Sequence, residues 1–292
     1  MLTRPEGEEP LAGITTLYEG IVFPECPRWR GGSLWFADCH DGKVLNIAPD
    51  GTLLESFDVP GNPAGLGWLP DGDMLIVSID ELCIFRRRAD NGLTRHADLA
   101  PHHRFHANDM VVDRNGNAYV GEVGFRGGQD EQRTTSVLLV TPDGNVRIAA
   151  PDVLTPNGSV ITPDGKTFIL AESMRKRLMA YTIADDGTLD DPQLFAQLGP
   201  DQVPDGICLD EDGCIWVASP RTASVIRVAP GGKIVDELRL DSGKPYACML
   251  GGDDGRDLFI CTSTGHDPAL TRPVRGGTIA VARVQSPGCG CP

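Results

Sequence analysis

The chain has 292 residues, of which 40% are hydrophobic and 23% are charged. These proportions are typical of a folded globular protein, so wholesale disorder is excluded. Acidic residues outnumber basic ones by 41 to 26, and the resulting net charge of −15 repels phosphate backbones and anionic lipid surfaces, which argues against nucleic acid or a membrane as a partner.

The first ten residues are acidic and polar, and no stretch of the chain is apolar enough for a signal segment or a membrane span. We therefore expect a cytoplasmic protein. Nine cysteines are present, but an odd count in a large chain without an export signal favours reduced thiols. Cys289 and Cys291 have no second Cys or His pair at zinc-finger spacing, so we assign them to an exposed tail.

One unit recurs along the chain: a short apolar run, a turn rich in Pro, Asp, Asn and Gly, and a second apolar run. Asp-Gly and Asn-Gly pairs between β-branched runs favour hairpins, because these residues accept positive φ in tight turns. The second runs begin about every 40–50 residues, which is the spacing of four-stranded propeller blades. In chain order, the six copies cover residues 25–38, 63–78, 107–123, 156–173, 204–219 and 245–263.

The six units predict an all-β fold, a six-bladed β-propeller, in which further apolar runs after each unit supply the third and fourth strands. Because a ring has to close, we expect residues 14–22 to add a strand to the last blade, which otherwise ends with residues 278–284. No linker-like change in composition interrupts the repeat. We therefore expect a single domain over residues 14–285, with tails at 1–13 and 286–292.

The first strand of each blade lines the central channel, so residues at the same place in the repeats converge in space. That place holds Glu25, Ala64, Asn108, Asn157, Asp205 and Ala247. Its two carboxylates and two amide carbonyls form an all-oxygen donor set that suits Ca²⁺, Mg²⁺ or Mn²⁺, and also Zn²⁺ or Fe²⁺ if water completes the shell. Any one of them alone is better explained as a turn or solvated residue, but their coincidence predicts one divalent metal ion in the channel.

Five short stretches carry a more specific signature, namely residues 25–29, 108–113, 156–158, 204–210 and 251–253. Together they resemble the family of senescence marker protein (regucalcin), gluconolactonase and luciferin-regenerating enzyme, over nearly the whole chain. The resemblance implies a six-bladed propeller whose metal is held by the residues matching Glu25, Asn157 and Asp205. It also implies that Asn108 lies close to the metal and the substrate, and that Asp205 can serve as general base.

The sequence departs from the family pattern at positions close to the substrate. Cys26 stands where the family often has a glycine between the metal-binding glutamate and a proline. His106 replaces an arginine that sugar-lactone hydrolysing members carry two residues before the channel asparagine, and Arg126 matches an acidic substrate-contacting position. With these polar groups exchanged, we expect a substrate other than a simple aldonolactone.

Lactone opening needs an electrophile at the carbonyl oxygen, a water nucleophile and a base for its proton. A bound metal supplies the electrophile and lowers the pKa of the water. Asp205 can act as both metal ligand and general base, and His106 is the alternative base because an unperturbed imidazole titrates near neutral pH. A serine nucleophile is poorly supported, since no Gly-x-Ser-x-Gly elbow occurs.

The sequence thus predicts a metal-dependent hydrolase that opens a small lactone or related ester with metal-activated water, as a monomer or small homo-oligomer. Two alternatives stay open because a fold does not establish a function. One is another metal-assisted reaction on the same scaffold, such as phosphotriester hydrolysis, ring opening or elimination. The other is a non-catalytic propeller that only binds a metal or a ligand.

Overall fold

Short apolar runs joined by tight polar turns pair into antiparallel hairpins along the whole described chain. The computed structural model describes residues 13–125 and 130–289, and arranges them in six four-stranded antiparallel sheets with one short helix. The inner strands of successive sheets contact one another in order, and the sixth contacts the first. The six-bladed β-propeller predicted from the repeat spacing is therefore confirmed.

The first three blades each contain four consecutive strands. Blade 1 contains β2 (Pro24–Arg30), β3 (Ser33–Asp38), β4 (Lys43–Ile47) and β5 (Leu53–Asp58). Blade 2 contains β6 (Pro63–Trp68), β7 (Met74–Ser78), β8 (Cys83–Arg87) and β9 (Leu93–Asp98). Blade 3 contains β10 (Ala107–Val112), β11 (Ala118–Glu122), β12 (Thr135–Val140) and β13 (Val146–Val153).

The remaining blades complete the ring and carry the helix. Blade 4 contains β14 (Pro156–Ile161), β15 (Thr167–Glu172), β16 (Arg177–Ile183) and β17 (Leu189–Gln197). Blade 5 contains β18 (Ile207–Leu209), β19 (Ile215–Ser219), β20 (Ser224–Val228) and β21 (Ile234–Arg239). Blade 6 contains β22 (Lys244–Gly251), β23 (Asp257–Ser263), β24 (Gly277–Arg283) and β1 (Thr15–Ile21), with helix α1 (Pro268–Val274) between β23 and β24.

The two ends of the chain meet in blade 6. β1 pairs antiparallel with β24, in a register that runs from Thr15 opposite Val281 to Ile21 opposite Gly277. The side chain of Ile21 is buried in the same apolar cluster as residues of β23 and β24. The predicted closing strand is therefore present, and it covers an edge of β24 that would otherwise expose unpaired backbone groups.

A buried polar residue ends the second strand of every blade, and all of them except Ser219 form a hydrogen bond with a loop that leads to an inner strand. These residues are Asp38, Ser78, Glu122, Glu172, Ser219 and Ser263. The carboxylate of Asp38, for example, accepts hydrogen bonds from Val22 N at 3.0 Å and Phe23 N at 2.8 Å. Since these loops place the first residues of the inner strands, the buried polar ends position the channel mouth.

Residues 286–289, expected to belong to a C-terminal tail, lie along blade 5. Gly288 forms a β-bridge with Asp210, and Cys289 N donates to Leu209 O at 3.2 Å.

The described residues include no helix that is both long and apolar enough to cross a membrane.

A chain that begins at Val22 lacks β1 and should be markedly less stable. We expect its melting temperature to fall by about 10 °C or more, because the edge of β24 and its apolar face lose their cover. Circular dichroism melts measure the change, and a synthetic peptide of residues 13–22 added in trans should recover part of it. Equal melting temperatures for the truncated and full chains would contradict a closing role for β1.

Candidate active site in the channel mouth

The functional positions predicted from the repeat lie on β-bulges. The register between inner and second strands shifts at Glu25/Arg28, Pro63/Leu66, Ala107/Met110, Pro156/Ser159 and Pro245/Ala247. In blade 5 the same place comes just before β18, where Asp205 N donates to Ala218 O and Ala218 N donates to Gly206 O. A bulge breaks the regular in-and-out alternation of a strand, so it can turn a side chain along the channel instead of into a blade.

Four of the predicted polar residues line one cavity. Glu25, Asn108, Asn157 and Asp205 all face a space of about 420 Å³ at the mouth of the channel. In blade 6 Tyr246, and not Ala247, takes the equivalent place in the lining, because Tyr246 follows Pro245, where the register shifts, as Asn157 follows Pro156. The convergence expected from the repeat is thus seen for the polar residues, with a buried tyrosine as the sixth-blade member.

The glycines that follow Asn157 and Asp205 pack closely against the next inner strand. A Cβ added to Gly158 would lie 2.5 Å from Ile207 N, and one added to Gly206 would lie 2.4 Å from the Cβ of Ala247. Both distances are too short for a side chain, so only glycine allows this approach. The glycines therefore let Asn157 and Asp205 come together from neighbouring blades.

Cys26 occupies the corresponding place in blade 1 with φ at 51°, the left-handed region that favours glycine. Its backbone N–H donates to Glu25 Oε2 at 3.2 Å, and its side chain is buried. Burial, together with the charges of Asp109 and Glu25, raises the pKa of the Cys26 thiol well above its usual value. At neutral pH Cys26 is therefore an unreactive thiol that packs beside the glutamate.

Hydrogen bonds orient the two channel amides. Asn157 Nδ2 donates to Ser173 Oγ at 3.2 Å, and Ser173 Oγ in turn donates to Pro204 O at 2.7 Å. Asn108 Nδ2 donates to Pro156 O at 3.1 Å. Because protein acceptors hold the NH₂ groups, the carbonyl oxygens of both amides are left as the atoms that can face a cation.

The channel holds more negative charge than Arg28, the buried cation beside it, can balance. Burial raises the pKa of Glu25 well above its usual value, and the nearby carboxylates of Asp205 and Asp109 raise it further. Burial also raises the pKa of Asp205 to about 7, although a hydrogen bond with Asn157 acts in the opposite direction. A proton or a bound cation is needed to make this pair of carboxylates stable.

Arg28 is the only buried Arg or Lys among the described residues, and its charge is already used. Its guanidinium forms a 2.8 Å ion pair with Asp109 and also donates to Leu66 O and Met110 O. These contacts join blade 1 to blades 2 and 3. They leave Glu25 and Asp205 without a cation of their own.

The donor set fits a hard divalent cation. Within residues 13–125 and 130–289, no three His, Cys, Asp or Glu side chains are close enough to form a metal site by themselves. The available donors are the carboxylates of Glu25 and Asp205 with the amide oxygens of Asn157 and Asn108. An all-oxygen set with surplus negative charge suits Ca²⁺, Mg²⁺ or Mn²⁺, whereas softer metals prefer His and Cys ligands.

The structure places His106 beside the cavity. Its side chain is not among those that line the cavity. The imidazole stacks on Phe105 at 4.0 Å, and its Nε2 lies 3.6 Å from Asp80 Oδ1, with half of the side chain exposed. Arg126, the other expected substrate contact, lies outside the described residues.

Part of the cavity is formed by loops that the repeat does not predict. Phe23 and His266 line it, and Phe23 stacks on His40 at 4.3 Å. His40 Nδ1 lies 2.8 Å from the hydroxyl of Thr271 in α1, and Arg275 forms an ion pair with Asp41. The segment containing α1 is thereby fastened to blade 1 beside the channel mouth. In the sequence, the only sign of this segment is a longer connection between β23 and β24.

Fold and site together define a six-bladed propeller with an acidic, oxygen-rich cavity at the mouth of its channel. A family model described as an SMP-30/gluconolactonase/LRE-like region matches residues 23–264. The chain belongs to this family.

Individual proteins of known name are similar to the chain over most of its length. A 6-deoxy-6-sulfogluconolactonase of Pseudomonas putida is 28% identical, covering 93% of this chain and 94% of the relative. An L-arabinolactonase of Azospirillum brasilense is 26% identical, covering 98% and 95%. Among solved structures, a luciferin-regenerating enzyme superposes with a TM-score of 0.81 at 16% identity, covering 96% and 97% of the two chains. A regucalcin of Agrobacterium tumefaciens superposes with a TM-score of 0.79 at 22% identity, covering 96% of each.

Replacing Arg28 by methionine should destabilise the protein by about 3–5 kcal/mol, because it leaves the buried carboxylate of Asp109 without a partner. Denaturant unfolding measures the loss. The double variant Arg28→Met, Asp109→Asn removes the stranded charge as well and should recover part of the stability. A loss below about 1 kcal/mol, as for an exposed ion pair, would show that Arg28 does not join the blades as described.

Proposed function

We propose that this protein is a metal-dependent lactonase that uses the channel-mouth cavity as its active site. Family membership and the similarity to two proteins named as lactonases place the chain among lactonase-type hydrolases. The observation that carries the metal-dependent part is the convergence of Glu25, Asn157 and Asp205 in one cavity with surplus negative charge.

In this proposal Glu25, Asn157 and Asp205 hold one divalent ion. When bound, that ion supplies a Lewis acid for the lactone carbonyl and lowers the pKa of a water molecule. Asn108, fixed by its hydrogen bond to Pro156 O, presents its carbonyl oxygen to the substrate. Asp205 takes the proton of the attacking water, and its hydrogen bond with Asn157 keeps the carboxylate in place.

We propose calcium as the bound metal. Zn²⁺, Mn²⁺, Mg²⁺ and Fe²⁺ are the alternatives, and metal-binding measurements distinguish them. The all-oxygen donor set favours a hard cation, and the solved regucalcin is described as a calcium-binding protein.

The proposed substrate is a small lactone that is not a simple aldonolactone. The exchanged residues Cys26 and His106 support this restriction. Neither lines the cavity, but Cys26 N contacts the carboxylate of Glu25, and His106 lies two residues before Asn108.

Replacing Asp205 by alanine should weaken metal binding and lower kcat by about 10²–10⁴ at the same time, because one carboxylate serves as ligand and base. Proton release from a panel of γ- and δ-lactones measures turnover, with and without a chelator, and calorimetry measures metal binding. Asp190→Ala, on the exposed face of β17, is the matched control. If the metal-loaded wild type opens no lactone, the hydrolase proposal fails; if Asp205→Ala keeps near wild-type turnover, the site assignment fails.

Replacing His106 by alanine tests the alternative base. Because the ring lies against Phe105 and Asp80, we expect kcat to retain its dependence on pH, while KM changes with the shape of the substrate. A pH–rate profile that loses its acidic limb in His106→Ala would instead assign proton transfer to this imidazole.

A further inference from the structure

The lining of the cavity combines acidic side chains that are partly enclosed with basic side chains that are exposed. Glu25 and Asp205 are partly enclosed and form what we call the acidic floor. Arg221, Lys244 and His266 line the same cavity but are exposed to solvent, and we call them the basic rim. A ligand that fills the cavity can therefore contact the carboxylates of the floor and the cationic groups of Arg221 and Lys244.

The cations of the basic rim are weakly neutralised. Arg221 lies 3.3 Å from Asp201, in a pair whose side chains are 62% and 70% exposed. The ammonium group of Lys244 forms no ion pair or hydrogen bond with any residue that the structure describes. Exposed pairs hold each other loosely, so both cations are available to a ligand.

Three other arginines of the propeller are neutralised more completely. Arg86, Arg227 and Arg283 each contact two aspartates of nearby turns, which neutralise them within their own blade. In a protein with a net charge of −15, an unpaired lysine and a loosely paired arginine line the same cavity as the acidic floor. This local positive charge coincides with the site that the proposed reaction needs.

We propose that the basic rim binds an anionic substituent of the substrate, so that the lactone carries a carboxylate, sulfonate or phosphate group away from its ester. This inference rests on the proposed function. The ester then lies over the acidic floor, and the anionic group lies against Lys244 and Arg221. A cavity of about 420 Å³ falls in the size range of small-molecule sites.

Lys244 is the main determinant of this preference, because Arg221 shares its charge with Asp201. A hydrogen bond to a charged group changes affinity by about tenfold to hundredfold. His266 completes the rim from the loop that precedes α1.

Two lactones that differ in one group test the inference by kinetics. D-glucaro-1,4-lactone has a carboxylate where D-glucono-1,4-lactone has a hydroxymethyl group. We expect the metal-loaded wild type to favour the anionic lactone in kcat/KM by about tenfold or more. Lys244→Met should reduce this ratio by about tenfold, Arg221→Met should reduce it less, and Lys244→Arg should preserve it. Lys233→Met, an exposed lysine in the turn before β21, should leave the ratio unchanged.

Calorimetric binding of the ring-opened acids separates this inference from the proposed reaction. The wild type should bind D-glucarate more tightly than D-gluconate, and Lys244→Met should lose that preference. If neither lactone is opened but the binding preference is found, the hydrolase proposal fails and the anion site stands. If wild type and Lys244→Met show the same ratios in kinetics and in binding, the anion site is overturned.

Discussion

The close approach of the inner strands is the constraint on which the site depends. At Gly158 and Gly206 the next strand is so near that no side chain fits, and the bulges there turn the preceding Asn157 and Asp205 toward the channel mouth. Residues about 50 positions apart in the chain thereby become neighbours. A wider ring would separate these donors, and a regular strand would not direct them along the channel.

Close approach also concentrates charge. Carboxylates from blades 1, 3 and 5 share one small volume, where burial raises the pKa values of Glu25 and Asp205. The guanidinium of Arg28 forms its ion pair with Asp109, and its contacts connect three blades. The remaining negative charge makes the floor of the cavity a place for a cation. The packing that closes the ring therefore also brings the carboxylates together, and these carboxylates require a counter-charge.

The outer parts of the cavity are governed by loops rather than by the ring. The buried ends of the second strands, such as Asp38 with Val22 and Phe23, hold the loops that enter the inner strands. The α1 segment is held by His40 and brings His266 to the rim. These loops differ in length from blade to blade, so they can change what the cavity accepts without changing the ring. The acidic floor comes from the inner end of the ring's blades, whereas the basic rim combines Lys244 at the start of β22 with Arg221 and His266 from loops.

The sequence by itself determined the number of blades and the polar residues of the channel, because the repeat period and the hairpin turns are local properties that recur along the chain. Glu25, Asn108, Asn157 and Asp205 could be found because each occupies the same place in its repeat. Only the tertiary structure decided that Tyr246 replaces Ala247 in the lining, that Arg28 pairs with Asp109, and that Lys244 and Arg221 stand unequally neutralised at the rim. These features depend on single-residue bulges and on contacts between blades, and neither leaves a periodic signal in the sequence.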